Sequence, residues 1–191
     1  MKIVLILFLL PIIIGCANIQ QSKNDIPLNY SEYKERLEIP KIKNFHLSGK
    51  IFLYVKEKGL SGRMRWVSMN GHDAVEIYDP FNSIIAKVSL TESPRKISFE
   101  SPSHSKETKN VIKHIFGSSD NVFILKKFLL SPPEELTKNQ NVSISFDGWT
   151  IRFSGIQDNI RKTPKMVEYT KGNISLKIFI NDLKIWKLIL I

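Results

Sequence analysis

The residues with chemistry to offer are few and far apart. One cysteine, Cys16, allows no intramolecular disulfide and no thiolate cluster around a metal. Four histidines, His46, His72, His104 and His114, fall on two expected strands, a loop and a helix, with no HExxH or other metal spacing. Glu134, Glu135 and Asp120 sit in expected loops or caps, where solvated charge explains them better than acid/base work. No G-x-S-x-G elbow, P-loop or Rossmann glycine pattern occurs. Basic residues are spread along the chain at Lys41, Lys43, Arg63, Arg65, Lys126, Lys127, Arg161 and Lys162, without the aromatic interleaving of a nucleic-acid groove. The weight therefore falls on binding rather than catalysis, with no metal, no cofactor and no nucleic-acid partner.

Composition agrees. The 191 residues are 42% hydrophobic and 24% charged, enough for one domain with a real core and unlike disordered, collagenous or heptad chains. The net charge of +10 admits nucleic acid, an anionic membrane or an acidic partner, and by itself chooses none of them. The amino end narrows that choice. After Met1 and Lys2, residues 3 to 15 carry no charge and contain Pro11, and Asn18, Gln20, Gln21 and Ser22 follow almost at once. Such a run is too short for a transmembrane helix, which needs roughly twenty apolar residues, and has the length and flanks of a secretory signal. It closes as Ile13-Ile14-Gly15-Cys16, which resembles the bacterial lipobox. There a small residue admits the peptidase, and the thiol accepts a diacylglyceryl group. The resemblance implies a signal peptide over 1–15, and S-diacylglycerol and N-acyl groups on Cys16. With Ala17 rather than aspartate next, it implies the outer membrane, with the chain facing the periplasm. At about 0.8 kcal/mol per buried methylene, even two acyl chains anchor durably.

Residues 16–29 read as a polar, lipid-anchored tether, and 30–191 as a single domain. A helix is expected near Tyr30, Tyr33 and Leu37, capped by Asn29 or Ser31 and stopped by Pro40. From Phe45 the hydrophobic period becomes two: Phe45, Leu47, Ile51, Leu53 and Val55 on one face, His46, Ser48, Lys50, Phe52 and Tyr54 on the other. The alternation continues through Met64 and Trp66, Val75 and Ile77, then Ile84, Ala86, Val88 and Leu90, then Ile97 and Phe99. Turns are expected at Lys58-Gly59, Asn70-Gly71, Asp79-Pro80 and Ser93-Pro94, links too short for crossover helices, so the strands run antiparallel. Residues 105–130 switch to helical spacing: Val111, Ile112, Ile115 and Phe116 stop at Gly117, and Asp120 or Asn121 could cap a second helix ending at Pro132-Pro133. Strands resume at Val142, Ile144 and Phe146, turn at Asp147-Gly148, and continue through Ile151, Phe153, Val167 to Tyr169 and Ile174 to Ile180. The expected fold is mainly β: a strongly curved antiparallel sheet or open, incomplete barrel of about ten strands, with a helical lid.

The run Phe45-His46-Leu47-Ser48-Gly49-Lys50-Ile51, then Gly62-Arg63-Met64-Arg65-Trp66, the turn Asp79-Pro80-Phe81-Asn82-Ser83, and Gly148-Trp149-Thr150-Ile151-Arg152-Phe153, Pro164 and Leu176 to Trp186 appear in an order that resembles the outer-membrane lipoprotein receptor family LolB. A related periplasmic carrier, LolA, has a similar fold but lacks the lipidated cysteine. The resemblance implies a monomeric, non-enzymatic receptor at the inner leaflet of the outer membrane. It would take acylated lipoproteins from a LolA-type carrier into an apolar cavity and insert them into that membrane. It also implies a protruding apolar residue in the turn between early strands. Phe81 holds that position, where the family has a leucine-like side chain, and Asn82 replaces the following glycine.

Inward residues that would line the cavity are Ile51, Leu53, Met64, Trp66, Ile84, Val88, Ile144 and Ile151, with Ile112, Ile115, Val122 and Leu125 from the helices. In sequence they look the same as a filled core. Phe81 could equally fold back onto the sheet. Two other classes stay open: an envelope structural or sensory lipoprotein of the same shape without lipid cargo, and a hydrolase whose groups converge from distant strands.

Overall fold

The computed structural model describes residues 25–31, 33, 42, 44–92, 95–102, 106–158 and 162–186. Cys16, the leader, Leu37, Pro40 and the Ser93-Pro94 turn lie outside them. The strands are β1 (Asp25–Leu28), β2 (Phe45–Val55), β3 (Lys58–Met69), β4 (His72–Tyr78), β5 (Ile84–Glu92), β6 (Arg95–Glu100), β7 (Asn141–Phe146), β8 (Trp149–Asp158), β9 (Thr163–Lys171) and β10 (Ile174–Ile185). Two helices, α1 (Lys106–Phe116) and α2 (Ser119–Leu130), separate β6 from β7.

Among the described residues ten strands form one unclosed sheet, in the order β1-β7-β8-β9-β10-β2-β3-β4-β5-β6. Two meanders, β2 to β6 and β7 to β10, are joined where the last strand pairs antiparallel with the first long one, Ile178 opposite Ile51. This order explains the helices. β6 ends at one edge of the sheet, while β7 begins near the other, so the link between them must cross a whole face. It crosses the face that carries the apolar alternates. Val111, Ile112, Ile115 and Phe116 of α1, and Val122, Leu125, Phe128 and Leu129 of α2, are buried in one cluster with Leu47, Ile51, Trp66, Val88 and Ile151 of the sheet. Each fully buried Leu, Ile or Phe contributes about 1.5–3 kcal/mol, so the helices are held mainly by this face.

The expected architecture is observed, and the departures are local. The tether does not run to residue 29. Asp25–Leu28 is an edge strand parallel to β7, with Ser143 Oγ donating to Asp25 Oδ1 at 3.0 Å and Arg152 paired with the same carboxylate at 3.1 Å. Pro27 is tolerated because an edge strand leaves one side unpaired, and the strand covers an edge β7 would otherwise expose. Helical backbone is present at Tyr30, Ser31 and Tyr33, and Asn29 Oδ1 accepts from the Ser31 backbone at 3.1 Å. The second helix begins earlier than expected, with Ser118 rather than Asp120 or Asn121 in the N-cap position.

The first hairpin turns at Lys56-Glu57, not Lys58-Gly59, because Lys56 takes the left-handed conformation (φ 58°). Gly59 is strand, and the Tyr54 ring occupies the space its side chain would need, 2.8 Å from an added Cβ. Finally, the β4–β5 register shifts at Ile77/Tyr78. Ile84 pairs with Tyr78 and Ala86 with Ile77, leaving Ile85 as the extra, buried residue, so Ile84 is only half-buried.

Candidate functional site

Three features of the covered face and its rim could serve binding: the anchors of the helical cover, a groove at its mouth, and the projecting β4–β5 loop.

The cover is pinned by polar contacts among apolar ones. Lys126, in the middle of the apolar run of α2, reaches down to the sheet. Its Nζ meets Asp73 Oδ2 at 2.9 Å, Glu92 Oε1 at 2.7 Å and Ser68 Oγ at 3.2 Å, and it lies 5.7 Å from the centre of the Phe45 ring. The other oxygen of Asp73 accepts from Trp66 Nε1 at 3.0 Å. Asp73 is only 3% exposed and Lys126 7%, so this is a buried ion pair with nearly all its hydrogen-bonding capacity used. From the other half of the sheet, Tyr169 of β9 donates to the Leu125 carbonyl at 3.0 Å, and Tyr33 donates to the Ser131 carbonyl just beyond the helix. Tyr33 also stacks on Phe128, whose ring touches Phe146 and Phe153. Burial pushes both phenols well above the ordinary value of 10.0; Tyr30 and Glu135 add to the rise at Tyr33, and Tyr33 adds to it at Tyr169. Alpha 2 thus straddles the two meanders, tied to one by Lys126 and to the other by Tyr169.

Of the expected cavity residues, Ile51, Leu53, Met64, Trp66, Val88, Ile112, Ile115, Val122, Leu125, Ile144 and Ile151 all lie in the single buried cluster under this cover. Ile84 does not; Ile85 takes its place. These side chains are buried against one another in that cluster. At the rim a groove of about 930 Å³ runs between the α1 residues Lys106, Asn110, Val111 and His114 and the hairpin residues Val55 to Lys58. That volume is in the range of roughly 300–1,000 Å³ typical of ligand sites. Val55 and Val111 give it an apolar floor continuous with the core, and Lys56, Glu57, Lys58 and Lys106 give it a charged margin with more cations than anions.

The β4–β5 loop is built to hold its tip outward. Asp79 Oδ1 accepts from the backbone of Phe81 and of Ser83, both at 2.8 Å, and the Asp79 carbonyl accepts from Asn82. Asn82 adopts a left-handed φ of 73°, which asparagine tolerates better than most residues, and its Oδ1 accepts from Arg63 at 2.7 Å. Beneath the loop, Gly62 leaves room for the Tyr78 carbonyl, which would sit 2.2 Å from an added Cβ. Phe81 does not fold back: it is 90% exposed, at the tip of a loop whose backbone is held by four hydrogen bonds.

Residues 43–182 match the family of the outer membrane lipoprotein LolB. The chain belongs to that family. The match takes in the sheet from β2 through most of β10 and the whole helical cover, so the LolB assignment rests on the domain itself and not on the amino-terminal segment. No curated protein matches the chain. As a LolB-family member it is an outer-membrane lipoprotein with a part in lipoprotein localisation.

Parity and spacing alone do not mark Lys126 and Asp73 as a pair, 53 positions apart. A signal exists: Asp73 shares the inward parity of Val75 and Ile77 on β4, and Lys126 interrupts the buried face of α2. Among the described residues no group of three or more His, Cys, Asp or Glu could hold a metal ion, and no helix is long and apolar enough to cross a membrane.

Proposed function

We propose that the protein is a non-enzymatic receptor, anchored through lipid on Cys16 at the inner leaflet of the outer membrane. It accepts acylated lipoproteins from a periplasmic carrier of the LolA type and delivers them into the membrane. The observation that carries this reading is the helical cover, two helices laid across the apolar face of an unclosed sheet and tied down at a few polar points. An acyl chain entering at the groove between α1 and the β2–β3 hairpin would slide along Val55 and Val111 and displace the cover from the core side chains. Uptake then costs the contacts between cover and sheet and gains the burial of the chain, about 0.8 kcal/mol per methylene. Release follows when the bilayer binds the lipid more tightly than the protein does, with no covalent step. Phe81, rigidly presented and apolar, is the side chain that enters the membrane during delivery.

A second reading, an envelope structural or sensory lipoprotein without lipid cargo, draws support from the mutual burial of the interior candidates. One experiment separates them. The protein is incubated with a fluorescent fatty acid and with a carrier-bound acylated lipoprotein, and uptake and transfer to vesicles are measured separately. Saturable uptake supports the receptor; its absence supports the second reading. Phe81→Glu should leave folding and uptake intact and block transfer to vesicles. Normal transfer by that variant would remove the role given to the loop.

A further inference from the structure

The outer face of the sheet breaks the rule that a solvated face is polar. On the two central strands, Phe52 and Phe179 meet edge to face, 5.6 Å between ring centres, both 39% exposed, and Tyr54 beside them is 53% exposed. With Ser175 and Lys177 they line a shallow groove of about 340 Å³. The pairing register extends this patch sideways. Phe179 lies opposite Lys50 and Lys50 opposite Arg63, all pointing outward, and Arg63 bonds to Asn82 next to the exposed Phe81. An aromatic patch is thereby linked through two cations to the projecting loop.

We propose that this strip, Phe52, Tyr54 and Phe179 with Lys50 and Arg63 and the Phe81 loop, is a membrane-docking surface that rests on anionic lipid headgroups. The proposal rests on the delivery role given above and extends it from one side chain to a face. Aromatic rings that are apolar in body, with lysine and arginine beside them, are the residues that settle at a membrane interface. The carboxylates in and beside the strip are engaged: Asp79 accepts from the backbone of Phe81 and Ser83 at the base of its loop, Glu168 is paired with Lys177 at 3.1 Å, Glu76 with Arg65 at 2.8 Å and Asp182 with Lys184 at 3.4 Å, while Glu57 lies beyond the strip in the hairpin turn. The chain's net charge of +10 favours the same partner. A flat sheet face contributes area, and Phe81 contributes depth.

The test uses the chain from residue 17 onward, without the apolar leader and Cys16, carrying Ser175→Cys and labelled at its one thiol with a polarity-sensitive dye, in buffer and with vesicles of phosphatidylcholine alone or mixed with phosphatidylglycerol. A blue shift with the mixed vesicles is expected. It should be absent with phosphatidylcholine, weaken as salt is raised, and be lost in Lys50→Glu and in Phe52→Ser/Phe179→Ser. No shift, or an equal shift on both vesicles, overturns the proposal. So does a shift that grows with protein concentration in buffer, which would assign the patch to a second copy of the chain. Fatty-acid uptake by the same proteins separates this outcome from the receptor reading. The patch variants should retain uptake, whereas loss of uptake by the parent chain would count against the receptor alone.

Discussion

Removing the Lys126 side chain should destabilise the protein well beyond an ordinary change at a surface charge. In Lys126→Ala, Asp73 keeps its bond from Trp66 but loses its cation in a site that is 3% exposed. Breaking a buried pair in this way costs about 3–5 kcal/mol. The lower end applies here, because the side chain of Glu92 is 40% exposed and regains water when Lys126 is gone. At about 2–4 °C per kcal/mol for a chain of this size, the melting temperature should fall by about 6–12 °C. Lys126→Met keeps the stem over Phe45, and Lys126→Met/Asp73→Asn also removes the stranded carboxylate while leaving an acceptor for Trp66. The double variant should therefore be more stable than Lys126→Met, with a coupling of about 0.5–3 kcal/mol. Urea unfolding followed by circular dichroism gives the energies. Because Lys126 ties the cover to the β4–β5 half of the sheet, Lys126→Met should also take up a fluorescent fatty acid faster than the parent. A Lys126→Ala protein within about 0.5 kcal/mol of the parent, the spread of an ordinary surface change, would refute the latch.

Two further outcomes follow from burial. Ile85→Ala should cost about 2–5 kcal/mol as a core truncation, and Ile84→Ala clearly less, by the same unfolding measurement; the reverse order would contradict the register shift. The buried phenols of Tyr33 and Tyr169 stay protonated in the fold while the unfolded chain ionises near 10.0. Each therefore contributes stability that is fully present below pH 10.0 and lost as pH rises above it, at up to about 1.4 kcal/mol per pH unit. Tyr33→Phe and Tyr169→Phe should flatten the alkaline limb of a stability–pH curve relative to the parent, and an unchanged slope would show that the phenols ionise in place.

The limits of sequence reading fall where partners are distant. Phe45 to Val55 announce a strand because each side chain's face follows from its own parity, and residues 106 to 130 announce helices in the same way. The Asp147-Gly148 turn is legible because both residues take left-handed φ, 50° and 73°, which that dipeptide favours. The four-residue strand Asp25–Leu28 was hidden because Pro27 and so short a run resemble linker, and only the exposed edge of β7 makes it a strand. Ile84 was misplaced because parity counting has no means of seeing an inserted residue, which appears only when β4 is laid beside β5.

By itself, then, the sequence determined the alternation, the switch to helical spacing, the one-sided apolar face and the family, since each depends on neighbours a few positions away. Tertiary structure alone decided that β10 closes onto β2, that the helices must therefore cross the apolar face from edge to edge, and that Lys126 meets Asp73 across 53 positions of chain. It also decided that Phe81 stands clear of the sheet. These are contacts between segments whose separation is fixed by sheet order and by the exclusion of water, quantities that no local pattern of residues carries.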